Sequence, residues 1–198
     1  MVTLYKDQHI DVATVQKTKP GNTVCGDGHI VFQSSAYTIC AVIDGLGSGK
    51  GAHLSAEKAI RAIQDHHDEE AEQILERCNQ YLANERGAVI TLLRIDYKAS
   101  TVTYSNFGNI GFILYHPDGT VEQPMPKRGY LCGRVQKLSS EQFRYKPGSS
   151  FIMYSDGVEQ LPKVREYSAT AKAVSEKLLN GKFYSQKDDA TLMIGNFK

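Results

Sequence analysis

No pair of cysteines in this chain has CxxC spacing, although Cys25, Cys40, Cys78 and Cys132 are present. A disulfide framework is not expected, and the thiols read as reduced and mostly buried in a cytoplasmic protein. No two histidines or cysteines have ligand spacing, which argues against zinc. No apolar run reaches the roughly 18 residues of a membrane-spanning helix. The opening MVTLYKDQHIDV carries charge too early for a signal peptide, so neither insertion nor export is expected. Lysine and arginine never cluster in a basic run and the formal net charge is +1, so neither nucleic acid nor an acidic membrane is an expected partner. There is no internal repeat or low-complexity tract. A single domain over residues 1–198, with no appended sensory domain and acting as a monomer, is the expectation.

What is present reads as alternating blocks. Residues 9–18 form a strand, and 29–33 with 37–44 form a hairpin. Two helices follow. Ala52, Ala56, Ala59, Ile60 and Ile63 fall on one face of the first, and Ala71, Ile74, Leu75, Cys78 and Leu82 on one face of the second. Between them His66 and His67 lie in a polar, solvated joint. The period then drops to two, giving strands over 88–97, 101–107 and 110–116, with a short returning strand at TVEQ. Segments 141–146 and 151–156, joined by the turn PGS, read as an antiparallel pair. A helix near 167–180 and a strand over 190–197 complete the chain. Strands in blocks with helices between them argue α+β, and nine to eleven strands require two stacked sheets with helices outside.

The most unusual stretch is AVIDGLGSGKGA, residues 41–52, an apolar strand ending in an acid and a glycine-rich loop. A Walker loop fails at both ends, because Asp44 stands where the first glycine belongs and Gly51 where the metal-binding hydroxyl belongs. GSGKGA matches GxGxxA, but a dinucleotide site also needs a second strand ending in an acid about 20 residues on. The residues there are helical and charged. Lys50 reads as solvated near a helix start, and Arg86 as a partner of an acid or of substrate.

The acids themselves carry the signal. Asp44 and Asp156 each follow an apolar strand and precede a glycine. Asp27 sits in a glycine-flanked bend, and Asp188 and Asp189 precede the last strand. Each pair alone is ordinary turn chemistry. If the central strands bring these ends together, the carboxylates cannot all ionise without a cation. An all-oxygen set favours Mg²⁺ or Mn²⁺, with the Gly45 carbonyl as a further donor.

Taken in order, GD at Asp27, DGLGSG at Asp44, YSDGV at Asp156 and KDDATLM at Asp188 resemble the motifs of the metal-dependent serine/threonine protein phosphatases, the PPM family, in its sporulation-type bacterial branch. The resemblance spans residues 25–193. It implies a four-layer α-β-β-α sandwich of two mainly antiparallel sheets with two Mn²⁺ or Mg²⁺ ions at one edge. It implies that Asp44 bridges both ions, that the Gly45 carbonyl binds one, that Asp156 and Asp188 bind the other, and that Asp27 contacts the cluster directly or through water. Asp189 is expected to support a ligand. The attacking group implied is a hydroxide held by the ions, with no side-chain nucleophile. Within the family the likeness is to stressosome-resetting phosphatases. It implies phosphorylated STAS-domain stressosome proteins as partners and negative control of the general stress response. The alternative is an inactive phosphatase fold that only binds a phosphoprotein. Two departures stand out: Asn109 in NFGN where many relatives have His, and Gln160 where many have Glu. Neither position is a primary metal ligand, so activity is expected to survive.

Overall fold

The computed structural model describes residues 1–161, 184–185 and 187–198. Eleven strands and two helices lie in these residues: β1 (Val2–Lys6), β2 (Ile10–Lys17), β3 (Asp27–Gln33), β4 (Tyr37–Gly45), α1 (Lys50–Asp65), α2 (Ala71–Tyr81), β5 (Ala88–Asp96), β6 (Thr101–Phe107), β7 (Gly111–Tyr115), β8 (Val121–Glu122), β9 (Ser140–Arg144), β10 (Ser150–Tyr154) and β11 (Ala190–Phe197). They make a six-stranded sheet in the order β1-β2-β11-β10-β7-β8 and a five-stranded sheet in the order β3-β4-β5-β6-β9. Every strand pair is antiparallel.

The apolar run of β4 is explained by burial on both faces. Cys40 and Val42 point into the core between the sheets, with Leu93, Phe112, Phe151 and Met193. Ile39, Ala41 and Ile43 point the other way, onto Ala56, Ala59, Ile63, Ile74 and Leu75 of the helices. The small alanines of α1 let it lie close on the sheet. α2 starts with a capping box between Glu70 and Gln73, which satisfies backbone donors at its first turn. Among the described residues, helices cover the outer face of the five-stranded sheet only. The outer face of the other sheet carries Val15, Ile152, Leu192 and Ile194 in a buried apolar cluster. The helix read near 167–180 lies outside the described residues.

Three readings are corrected. Segments 141–146 and 151–156 are not a hairpin: β9 pairs with β6, whereas β10 lies between β7 and β11. The chain crosses from one sheet to the other at the PGS turn, because Phe143 and Phe151 face the same inter-sheet core from opposite sides. β1 was missed; its residues are only half-buried at a sheet edge, so the apolar alternation is weak. His66 and His67 are half-buried. The His67 ring stacks on Phe32 at 4.0 Å and its Nδ1 meets the Tyr37 hydroxyl at 2.7 Å.

The helix-to-sheet core is the main attachment of α2. Leu75→Ala, at a fully buried site, is expected to cost about 2–5 kcal/mol. Leu54→Ala, at an exposed site on α1, should stay within about 0.5 kcal/mol. Urea unfolding midpoints check both.

Candidate metal centre

Asp27 opens β3 and is the direct cross-strand partner of Asp44 near the end of β4. Cross-strand partners point to the same face. Asp44 shares the parity of Cys40 and Val42, so both carboxylates face the space between the sheets, at its rim. Asp156 lies two residues beyond β10, and Asp188 two residues before β11, on the opposing sheet. β10 and β11 are neighbours, which brings their ends to the same rim.

Hydrogen bonds tie the two sheets together there. Ser155, fully buried, donates its hydroxyl to Asp27 Oδ2 at 2.7 Å and accepts the Thr191 N–H at 2.9 Å. Gln16 donates its side-chain amide to the Asp27 carbonyl at 3.0 Å. Asp189 is buried, and its two oxygens accept the N–H groups of Lys19 (2.8 Å) and Gly26 (2.9 Å). It thereby stitches the 18–26 loop to the start of β11. Asp188 is exposed and accepts the Asp189 N–H. Asp156 is exposed and accepts the Asn109 amide at 3.0 Å.

The glycine after each acid has a steric purpose. A Cβ at Gly45 would run into the Ala52 carbonyl of α1, and one at Gly157 into the Asp189 carbonyl. Only glycine lets these backbones meet. Arg86 lies across Gly47 and Gly51, packed against the loop. Lys50 is exposed at the start of α1.

Burial dominates the electrostatics. It pushes Asp27 up to about 7, with Asp189 and Asp156 adding to the rise and hydrogen bonds from Ser155 and Thr191 opposing it. It pushes Asp44 up to about 8, reinforced by Asp27, Asp156, Asp188 and Asp189. Asp44 thus feels every other acid of the set. Cys25 is pushed up to about 12, first by burial and then by Asp27 and Asp189. Its thiol stays protonated at neutral pH and is no nucleophile.

Among the described residues, no three Asp, Glu, His or Cys side chains stand close enough to form a ready-made metal site. The carboxylates share a rim without closing on one point. Their chemistry nevertheless fits a hard divalent cation: the donors are all oxygens, and burial together with neighbouring acids raises Asp27 and Asp44, a cost that a cation would offset. Sequence reading missed Ser155 and Thr191. The signal was a small hydroxyl with inward parity just before Asp156.

The family description Stage II sporulation protein E (SpoIIE) matches residues 34–198. The chain belongs to the SpoIIE family. Phosphoserine phosphatase RsbX of Bacillus subtilis (strain 168) is 36% identical over 197 residues, covering 98% of each chain. A crystal structure of RsbX in complex with magnesium superposes with a TM-score of 0.91 at 34% identity, covering all of both chains. A chain from the bacterial stressosome structure gives a TM-score of 0.86 at 25% identity, over 94% of this chain and 99% of that one. The catalytic domain of the serine/threonine phosphatase PstP with two manganese ions shares the fold, with a TM-score of 0.74 at 14% identity over 98% and 99% of the chains. This SpoIIE-family chain is therefore a metal-dependent phosphatase with the α+β double-sheet fold expected of it. No helix of the described residues is long and apolar enough to cross a membrane.

The raised carboxyl pKa values set a pH dependence. In metal-free protein, Asp27 and Asp44 bind protons that the unfolded chain, with ordinary aspartates, has already lost. Stability should therefore fall as pH rises from about 4 through about 8. Denaturation midpoints in chelator across that range check the sign. Mn²⁺ should flatten the slope, and its binding should release protons, measurable by calorimetry in buffers of different ionisation heat.

Proposed function

We propose that this chain removes phosphate from phosphoserine or phosphothreonine of STAS-type stressosome proteins. It does so as a single cytoplasmic domain, 1–198, working as a monomer, and so lowers the general stress response. What carries the reading is the opposed pair Asp27 and Asp44, set at the rim of a chain that aligns end to end with a phosphoserine phosphatase. The stressosome chain of the same fold supports the choice of partner.

Asp44, the Gly45 carbonyl, Asp156 and Asp188 would hold two Mn²⁺ or Mg²⁺ ions, with Asp27 touching the cluster directly or through water. When bound, such ions supply an acidified water near neutral pH and neutralise charge on the phosphoryl oxygens. The rest is done by the protein. Ser155 keeps one oxygen of Asp27 engaged, so that carboxylate keeps a fixed orientation. Asn109 does the same for Asp156. Asp189 fixes the loop before β3, and thus where Asp27 begins. Gly45 and Gly157 let α1 and the start of β11 close on the rim. Cys25, protonated, takes no covalent part.

Asp44→Asn should fold, since the amide matches the size of a carboxyl that burial and neighbouring acids already favour in its neutral form, and should lower Mn²⁺-dependent hydrolysis of an aryl phosphate by more than about a hundredfold. That exceeds the effect of losing a group that merely orients a ligand. Undiminished turnover would overturn the ligand assignment. Mass measurement of phosphorylated STAS proteins before and after incubation tests the substrate. A folded, metal-binding wild type that leaves the phosphate on would favour the binding-only alternative.

A further inference from the structure

Beside the rim lies a groove of about 640 Å³, of which the chemistry above uses only Asn109. Leu46, Asn109, Met125, Arg128 and Tyr130 line it. It is continuous with the metal centre. Asn109 both faces the groove and donates to Asp156, and Leu46 directly follows Gly45. A phosphoryl group held at the rim would leave its flanking residues at the mouth of this groove.

One wall, from Met125 to Tyr130, belongs to a segment of uneven composition. Between Glu122 and Glu141 there is no acid, whereas Lys127, Arg128, Arg134 and Lys137 all fall there, in a chain of net charge +1. Lys127 is turned inward, over the Phe107 ring and onto the Lys137 carbonyl. Arg128, Arg134 and Lys137 are exposed and, among the described residues, none is in an ion pair. Met125, on the groove wall, is 90% exposed. An exposed apolar side chain and an uncommitted cation on one lip of a groove suit recognition of a partner segment. The chain is held in place directly after the wall. Asn79 accepts the N–H groups of Cys132 and Gly133 and donates to the Arg134 carbonyl, and Leu131 exchanges backbone hydrogen bonds with Ala88. An ordered surface loses little entropy when it binds.

We propose that this groove docks the residues flanking the phosphorylated serine or threonine, and that it selects an acidic segment bearing an apolar side chain. The proposal rests on the phosphatase reading. Two short phosphoserine peptides test it, one flanked by glutamate and leucine, the other by lysine and serine. Wild type should prefer the first roughly tenfold in kcat/KM, through KM, and the preference should shrink as salt rises. Arg128→Glu should bring the ratio near one, and Met125→Ser should reduce it separately. The ratio cancels any change in the chemical step. Equal treatment of the peptides by wild type, or full preference in the Arg128→Glu variant, would overturn the proposal. Fluorescence anisotropy of labelled peptides gives the same ranking without turnover. Ranked binding with no metal-dependent hydrolysis would sink the phosphatase reading and uphold the docking surface. Hydrolysis with unranked binding would do the reverse.

Discussion

Two aspartates facing each other across neighbouring strands, on the side turned toward the core, are a liability that the rest of the molecule is arranged around. Two full charges about 5 Å apart would repel by about 3 kcal/mol at an effective dielectric near 20, a large share of the roughly 5–15 kcal/mol that holds a domain together. Burial adds to the cost. The pair must therefore keep protons or take a cation, and the raised values at Asp27 and Asp44 show the first choice operating in the protein alone. Asp156 and Asp188 differ from them in being exposed. The set is thus graded, from Asp27, buried, through Asp44, half-buried, to Asp156 and Asp188 in solvent.

The scaffold explains why the liability is tolerated. β4 is buried on both faces, by the opposite sheet and by α1 and α2, so its end cannot shift to relieve the crowding. Ser155 links the sheets through Asp27 and Thr191. Gly45 and Gly157 admit the backbones of Ala52 and Asp189 at distances no side chain would allow. These contacts hold the strand ends from both layers in register. A rigid rim of oxygens fixes the spacing of whatever it binds, which is the condition for a charge-stabilised transition state.

Much of this is written in the sequence because it follows from period and parity. The two faces of β4 and the apolar stripes of α1 and α2 can be counted off the chain, and the recurrence of apolar run, Asp, Gly points to the strand ends. What the sequence hides are partners. PGS between two alternating segments looks like a hairpin turn, yet each segment places its aromatic toward a shared core from a different sheet, and nothing local distinguishes the two arrangements. β1 is too exposed to show its period. Ser155 is one small residue whose meaning depends on Asp27, over a hundred positions away. His67 looks polar in the chain and is stacked in the structure because Phe32 and Tyr37 arrive from the preceding hairpin.

The glycine-rich loop shows the same distinction between pattern and use. Its composition suggests a cradle of free amides for phosphate. In the structure the Gly45 N–H donates to the Gly26 carbonyl and the Leu46 N–H to the Gly87 carbonyl, so these donors are spent on joining segments. The Arg86 side chain lies over Gly47 and Gly51. The acid ahead of the loop faces inward, and once ionised would repel any anion placed there. On the function proposed above, a loop so occupied handles phosphate only through a cation. The glycines serve close packing, which lets the aspartate before them sit where its charge is least comfortable and most in need of a counter-ion.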